Sequence, residues 1–382
     1  MNHSESDNLQ SVVINNLRFP LVLMVIFIHQ SYAVVDDPAT LDILIFNAFY
    51  YICSHLLAGV AVPLFFLISG YLYFYKIEEF SKQTYIAKTK RRIKSLALPY
   101  LYWNLIAYGV SLVKVIAQVV VNGRPVEDIY AFLQTFSLHI FWDVNTSSGG
   151  LWCFGMFEAA DSVSPLLVHL WFLRNLFILA LISPVIYFLV RRGGKWFVGL
   201  LCIACLGEIG IDYSPFTICG IFYFTLGSYL SINKLNISDC FGKFKPIMCY
   251  FAVTILIVVC GFAEMAHQDR LLAAVYPTFV LFGVASIYNL AYTLIKVGIF
   301  AQQSAVWAQS SFFVYALHAL VINKFVGVGL LYAANMLFGE GAFANFMSYM
   351  LAPPLVAMAC VEIYMLLQRF APRLLHALSG NR

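Results

Sequence analysis

The chain has 382 residues, of which 62% are hydrophobic and only 11% charged, with a formal net charge of +4. Soluble domains carry about 25% charged residues, so the composition excludes a soluble domain, a disordered segment, a disulfide-stapled secreted module and a nucleic-acid-binding domain. With 34 Phe, 23 Tyr and 6 Trp, the aromatic load is that of a protein whose solvent is the bilayer.

A helix crosses the hydrocarbon core with about 20 apolar residues, and backbone facing lipid must satisfy its own hydrogen bonds, which makes helices the default. In chain order the apolar stretches run over Asn16–Val35, Ala48–Tyr75, Ser95–Val121, Leu166–Val190 and Trp196–Gly210, then Pro215–Ser231, Pro246–Ala263, Leu271–Ile295, Ser311–Ala334 and Asn345–Gln368. The fifth is short and Pro215 separates it from the sixth. The expected fold is therefore all-α and polytopic: one integral-membrane domain over residues 1–382, with about ten transmembrane helices.

Orientation follows from the basic residues. With the N-terminus inside, 17 of the 23 Lys and Arg fall on the cytoplasmic side and only Arg124 and Arg270 outside. Both termini are then cytoplasmic. The polar start, with Glu5 and Asp7 and no basic cluster, is unlike a signal peptide, so the first helix is expected to be retained.

Two connections stand out. The outer segment 122–165 carries His139, Trp142, Trp152 and the Ser/Gly-rich run 146–150; aromatics beside polar groups suit a sugar ligand, and a lid over the outer mouth is an equal alternative. The inner loop 76–94 is the densest basic cluster. It either sets topology against anionic head groups or holds a phosphate-rich cytosolic ligand. The nine cysteines show no metal-ligand spacing. Cys202 and Cys205 read as packing residues despite their CxxC spacing, and Cys53 and Cys153 both sit toward the oxidising side, where a pairing is open.

Ionisable groups inside a membrane helix cost about 2.5–3.5 kcal/mol each on insertion scales, so each needs a reason. Arg18 and His29 lie eleven residues apart in the first stretch. Eleven steps of about 100° return within about 20° of the same face, with about 16 Å between them. One face thus carries a fixed cation at the inner surface and an imidazole deep within. A neutral imidazole keeps one acceptor nitrogen, which a general base needs; the plain alternative is a packing histidine. In the fourth stretch His169, Trp171 and Arg174 enter from outside. Trp171 suits an interface anchor, and Arg174 suits an oxyanion or an acceptor sugar. Ser69–Gly70 permits close helix approach or lines a channel. Tyr315 and His318 share a face near the cytoplasmic end of the ninth stretch, where a donor tunnel could run. Lys114, Lys324 and Glu362 suggest structural pairing only.

Taken together, Arg18 with His29, the run P-L-F-F-L-I-S-G-Y-L at 63–72, the basic run K-R-R-I-K-S-L-A-L-P-Y-L-Y-W-N at 90–104, H-L-W-F-L-R at 169–174 and Y-A-L-H at 315–318 resemble the membrane acyltransferase 3 family. The likeness is nearest to sugar O-acetyltransferases of the fucose acetylase-like kind. It implies a bacterial inner-membrane enzyme that moves acetyl from cytosolic acetyl-CoA, a substrate and not a resident cofactor, to a hydroxyl of an envelope carbohydrate. On this resemblance His29 matches the essential histidine and Arg18 its partner, while Arg91, Arg92 and Lys94 match the basic motif. Lysine at 94 departs from a common arginine, which weakens bidentate phosphate gripping there. Only about 14 residues follow the tenth stretch, so no appended domain is expected.

The expected site therefore has His29 as base and Arg174 as oxyanion donor. Arg18, Lys88, Arg91, Arg92, Lys94, Ser69, Tyr315 and His318 face the donor, and His169, Trp171 and Trp152 face the acceptor. No metal or nucleic acid is implied, and a homo-oligomer is open. A transporter or flippase is the first rival; a lipid-sugar glycosyltransferase using Asp36 and Asp37 is the second.

Overall fold

The structure, a computed structural model, describes residues 3–30, 40–142, 145–147, 151–152, 157–158, 162–207, 218–242, 270–298 and 305–380. Asp36, Asp37, Cys153 and the expected seventh span at 246–263 lie outside the described residues, as does the Trp152 side chain.

The helices are α1 (His3–Ile28), α2 (Leu41–Tyr51), α3 (Ala61–Phe74), α4 (Lys82–Arg92), α5 (Leu98–Asn122), α6 (Glu127–Gln134), α7 (Trp171–Leu181) and α8 (Ser183–Leu206). There follow α9 (Ile218–Ile232), α10 (Ile237–Gly242), α11 (Arg270–Lys296), α12 (Ala305–Leu317), α13 (Asn323–Phe338), α14 (Ala342–Phe370) and α15 (Pro372–Ser379). Two short antiparallel ladders, 145–147 with 162–164 and 151–152 with 157–158, fall in the outer segment.

Among the described residues six helical runs are long and apolar enough to cross a membrane, or seven if a bent pair forms one span. Ten were expected over the whole chain; the seventh lies outside the described residues, and between residues 166 and 232 the helices divide differently. The bent pair is Val168–Leu181 with Ser183–Leu206, at 64°, broken where Pro184 opens α8. The expected divide after Val190 appears as a kink at Gly194, whose φ of 51° is non-helical. At 15 residues, α9 is short of a full span.

The basic segment is a correction. It is not a loop through 76–94, because Lys82–Arg92 is helical and runs through a π-turn at Ile93–Ala97 into α5. Ser81 starts it by accepting from the Thr84 amide at 3.2 Å, and no Gly or Pro interrupts residues 82–98.

Helix association in lipid depends on close packing, and α3 against α9 shows it. A Cβ on Gly70 would overlap the Phe224 carbonyl, and one on Gly227 would overlap that of Leu67. The S-G pair in the sequence therefore does serve backbone contact. At the far end of the bundle, α15 docks on α5 through the Trp103 indole, which donates to the Leu378 carbonyl at 3.0 Å.

The outer segment doubles back along α5. Tyr108 stacks on Phe132 at 4.8 Å, and further down the helix Tyr100 donates to the Phe141 carbonyl. Eight residues separate the two tyrosines, about 12 Å of helix, so the chain descends beside α5 and carries Trp142 inward.

Cys205 and Cys219 form a disulfide. The sequence reading took Cys205 for a packing residue, so this is a second correction; Cys53 is free. Lys114, Lys324 and Glu362 sit on the exposed outer surface of the bundle rather than pairing across its interior.

Candidate active site

The first helix ends at Ile28, short of the expected Val35. A helix end leaves carbonyls without partners, and here other helices supply them. Ser54 Oγ donates to the Phe27 carbonyl at 2.7 Å, and Gln30 Nε2 donates to Ile26 at 3.2 Å. Asn323 Nδ2 donates to the His29 carbonyl at 2.7 Å, while its Oδ1 accepts from Gln30. His29 thus sits at a capped helix terminus inside the bundle, its backbone clamped to the start of α13.

Two further histidines meet it there. The His29 ring centre lies 5.4 Å from that of His318 and 6.0 Å from that of His169, and the latter two are 4.8 Å apart. His318 is 0% exposed and His169 4%, whereas His29 is only partly buried. His318 Nδ1 lies 2.8 Å from the Tyr315 carbonyl and 3.3 Å from that of Val314. A carbonyl only accepts, so Nδ1 carries the proton and Nε2 of the neutral ring is a bare acceptor. His169 Nε2 faces the Ala316 carbonyl at 3.2 Å and is protonated by the same logic. The sequence placed His169 with the acceptor and His318 with the donor; the fold brings both to His29. Because α12 starts at Ala305 rather than Ser311, Tyr315 and His318 lie about 15 and 20 Å along the helix, well inside the bundle.

A cavity of about 890 Å³ runs along α1 and α12 toward this cluster. Asn15, Asn16, Arg18, Arg92, Ser95 and Gln309 give it a polar end; Val22, Leu72, Leu173 and Leu176 line its walls. Tyr315 and Phe172, ring centres 6.1 Å apart, belong to the same lining. His318 follows Tyr315 by one turn and His169 precedes Phe172 by one turn, so the histidines lie directly beyond these two rings. Tyr315 also donates to the His169 carbonyl, which fixes it as a partition. Among the described residues no carboxylate faces Arg18 or Arg92.

Of the expected donor-side residues, Arg18, Arg92, Ser69 and Tyr315 line this cavity. Lys88 instead donates to the Tyr73 carbonyl and lies 5.1 Å from the Tyr73 ring, with Arg92 5.6 Å from the same ring. Arg91 and Lys94 are exposed and outside the lining. Trp171 packs on Phe66. Arg174 donates from Nη1 to the Trp142 carbonyl at 2.6 Å and lies 4.9 Å from its ring, linking it to the descending outer segment, while Nε donates to Asn175 Oδ1 at 3.4 Å. Trp142 was visible as a loop aromatic, but nothing in the sequence paired it with Arg174. Among the described residues no group of three or more His, Cys, Asp or Glu is arranged to hold a metal.

A family model for an acyltransferase domain matches residues 12–367. Succinoglycan biosynthesis protein ExoH of Rhizobium meliloti (strain 1021) is 22% identical over 377 residues, spanning 97% of this chain and 92% of that protein. No solved structure matches.

Proposed function

The chain belongs to the acyltransferase 3 family, and from that premise we propose that it transfers an acetyl group from acetyl-CoA, held at the inner face, to a hydroxyl of an envelope carbohydrate. The observation that carries this reading is the cavity itself: cationic at one end, apolar along its length, and lined by Tyr315 and Phe172, each about one turn from a histidine of the cluster. Two guanidiniums that meet no carboxylate among the described residues suit the phosphates of a CoA, and the apolar walls suit its pantetheine arm. The thioester then reaches the Tyr315 partition.

In this reading His29 takes the proton of the acceptor hydroxyl as its oxygen attacks the thioester carbonyl. The C–S bond breaks, and the departing CoA thiolate recovers the proton from His29, so the ester and free CoA are the products. Arg174 holds Trp142 and the descending segment over the acceptor side through Nη1, and its remaining N–H groups suit the developing oxyanion. Arg91 and Lys94 face the membrane surface, where anionic head groups attract cations.

A carbohydrate acceptor is supported by the relative whose name places it in succinoglycan biosynthesis. The cytoplasmic placement of the cavity mouth is supported by the basic-residue asymmetry and by the Cys205–Cys219 disulfide, which suits the oxidising side. The test is acetyl transfer from radiolabelled acetyl-CoA by the purified full chain in detergent, with the envelope polysaccharide as acceptor. No transfer, and no His29-dependent thioester turnover, overturns the reading.

A further inference from the structure

We propose that His318 is a positioning residue for His29: its bare Nε2 accepts the N–H of the His29 ring and thereby fixes which His29 nitrogen stays unprotonated toward the substrate. The proposal rests on the reading of His29 as the base.

Three independent features point to it. Among the described residues His318 Nε2 has no hydrogen-bond partner, on a side chain that is 0% exposed; a buried acceptor left in that state is costly. The ring cannot turn to relieve it, because Nδ1 is held at the Tyr315 carbonyl at 2.8 Å. The nearest unassigned donor is His29, whose ring centre at 5.4 Å leaves room for one N–H···N contact of about 3 Å between facing edges.

The backbone supports the same assignment. His318 opens a π-turn over His318–Ile322, a helix defect that gathers at functional sites, and Asn323 immediately after it clamps the His29 carbonyl. One irregular turn therefore holds the His29 carbonyl and sets a bare acceptor beside the His29 ring. His169 is the weaker candidate: its ring centre is farther from His29, at 6.0 Å. When His29 takes the hydroxyl proton it becomes a cation, and Nε2 of His318 is the acceptor for its other N–H, the part a carboxylate plays behind other histidine bases.

The two nitrogens of His318 can be tested apart. His318→Asn keeps a donor where Nδ1 stands and removes the acceptor; His318→Gln carries an amide oxygen out to the place of Nε2. Two readouts apply to the full chain in detergent. One is carbethoxylation of His29 by diethyl pyrocarbonate, resolved by mass spectrometry. The other is kcat and KM for acetyl-CoA with methyl β-D-glucoside as probe acceptor. The expected result is that His318→Asn slows carbethoxylation of His29 about ten-fold and lowers kcat by about 10- to 100-fold, with KM unchanged. His318→Gln recovers most of both.

A purely structural Nδ1 bond predicts the reverse order, Asn milder than Gln. That order, or no difference between the two variants, overturns the proposal. If no chain turns over acetyl-CoA, the acyl-transfer reading fails, while the carbethoxylation order still decides the role of His318. Should neither variant fold, imidazole 15N shifts of the unsubstituted protein decide: a single His29 tautomer supports the proposal and a mixture of tautomers overturns it.

Discussion

The cavity along α1 and α12 is lined by side chains that reach into it from five helices, whereas two of the three histidines beyond Tyr315 are held by backbone carbonyls of a single turn. Arg18 and Arg92 offer charge to whatever enters the cavity, and attraction by charge tolerates small displacements because it falls off slowly with distance. His169 and His318 are fixed through hydrogen bonds that specify which nitrogen carries a proton, and such bonds weaken steeply with angle. In the proposed function the two regions share one wall and divide the labour: the first would bind the donor, the second would set proton positions. Substitutions in the cavity should therefore move KM, and substitutions in the cluster should move kcat.

The largest effect is expected from His29→Ala, which should lower kcat by at least about 10²–10⁴-fold in a chain that still elutes as a folded species from gel filtration. Normal turnover in that variant would remove the cluster from the chemistry. Next comes the cavity. Arg18→Ala and Arg92→Ala should each raise KM for acetyl-CoA about ten-fold, equivalent to about 1.4 kcal/mol, with kcat little changed; steady-state kinetics read both. A kcat effect there would erase the division between the two regions.

The shared wall is expected to give an intermediate result. Tyr315→Ala removes the ring between cavity and histidines, so the preference for acetyl-CoA over butyryl-CoA should shrink by about ten-fold in competition assays, in the range one or two methylenes are worth in a fitted pocket. Unaltered selectivity would mean that Tyr315 does not bound the acyl group. The smallest effect is reserved for the exposed cations: Arg91→Ala with Lys94→Ala should leave KM for acetyl-CoA unchanged, since neither lines the cavity. A rise matching that of Arg18→Ala would return them to the donor site.

Much of the site was readable one residue at a time. Arg18, His29, His169, Arg174 and His318 stood out because an ionisable group in hydrocarbon is expensive, and Gly70 stood out because it follows Ser69 in an apolar run. The failures have a common form. The helical reading of 16–35 missed the stop at Ile28, since the side chains that cap it, Ser54 and Asn323, come from distant helices. Arg174 was legible as a buried cation, but its contact with Trp142 was not, because the outer segment that carries Trp142 comes from elsewhere in the chain. Cys205 looked like a packing residue because its partner, Cys219, lies on the next helix.

The amino-acid sequence by itself determined that this chain lives in a membrane, folds as helices, and carries a cation and an imidazole on one face of the first of them. Those facts follow from composition and from a 3.6-residue period, which are properties of each segment alone. Only the tertiary structure decided that three histidines meet, which of their nitrogens are bare, and where the cavity ends. Periodicity says which way a side chain points from its own helix axis, and says nothing of what waits for it on the neighbouring one.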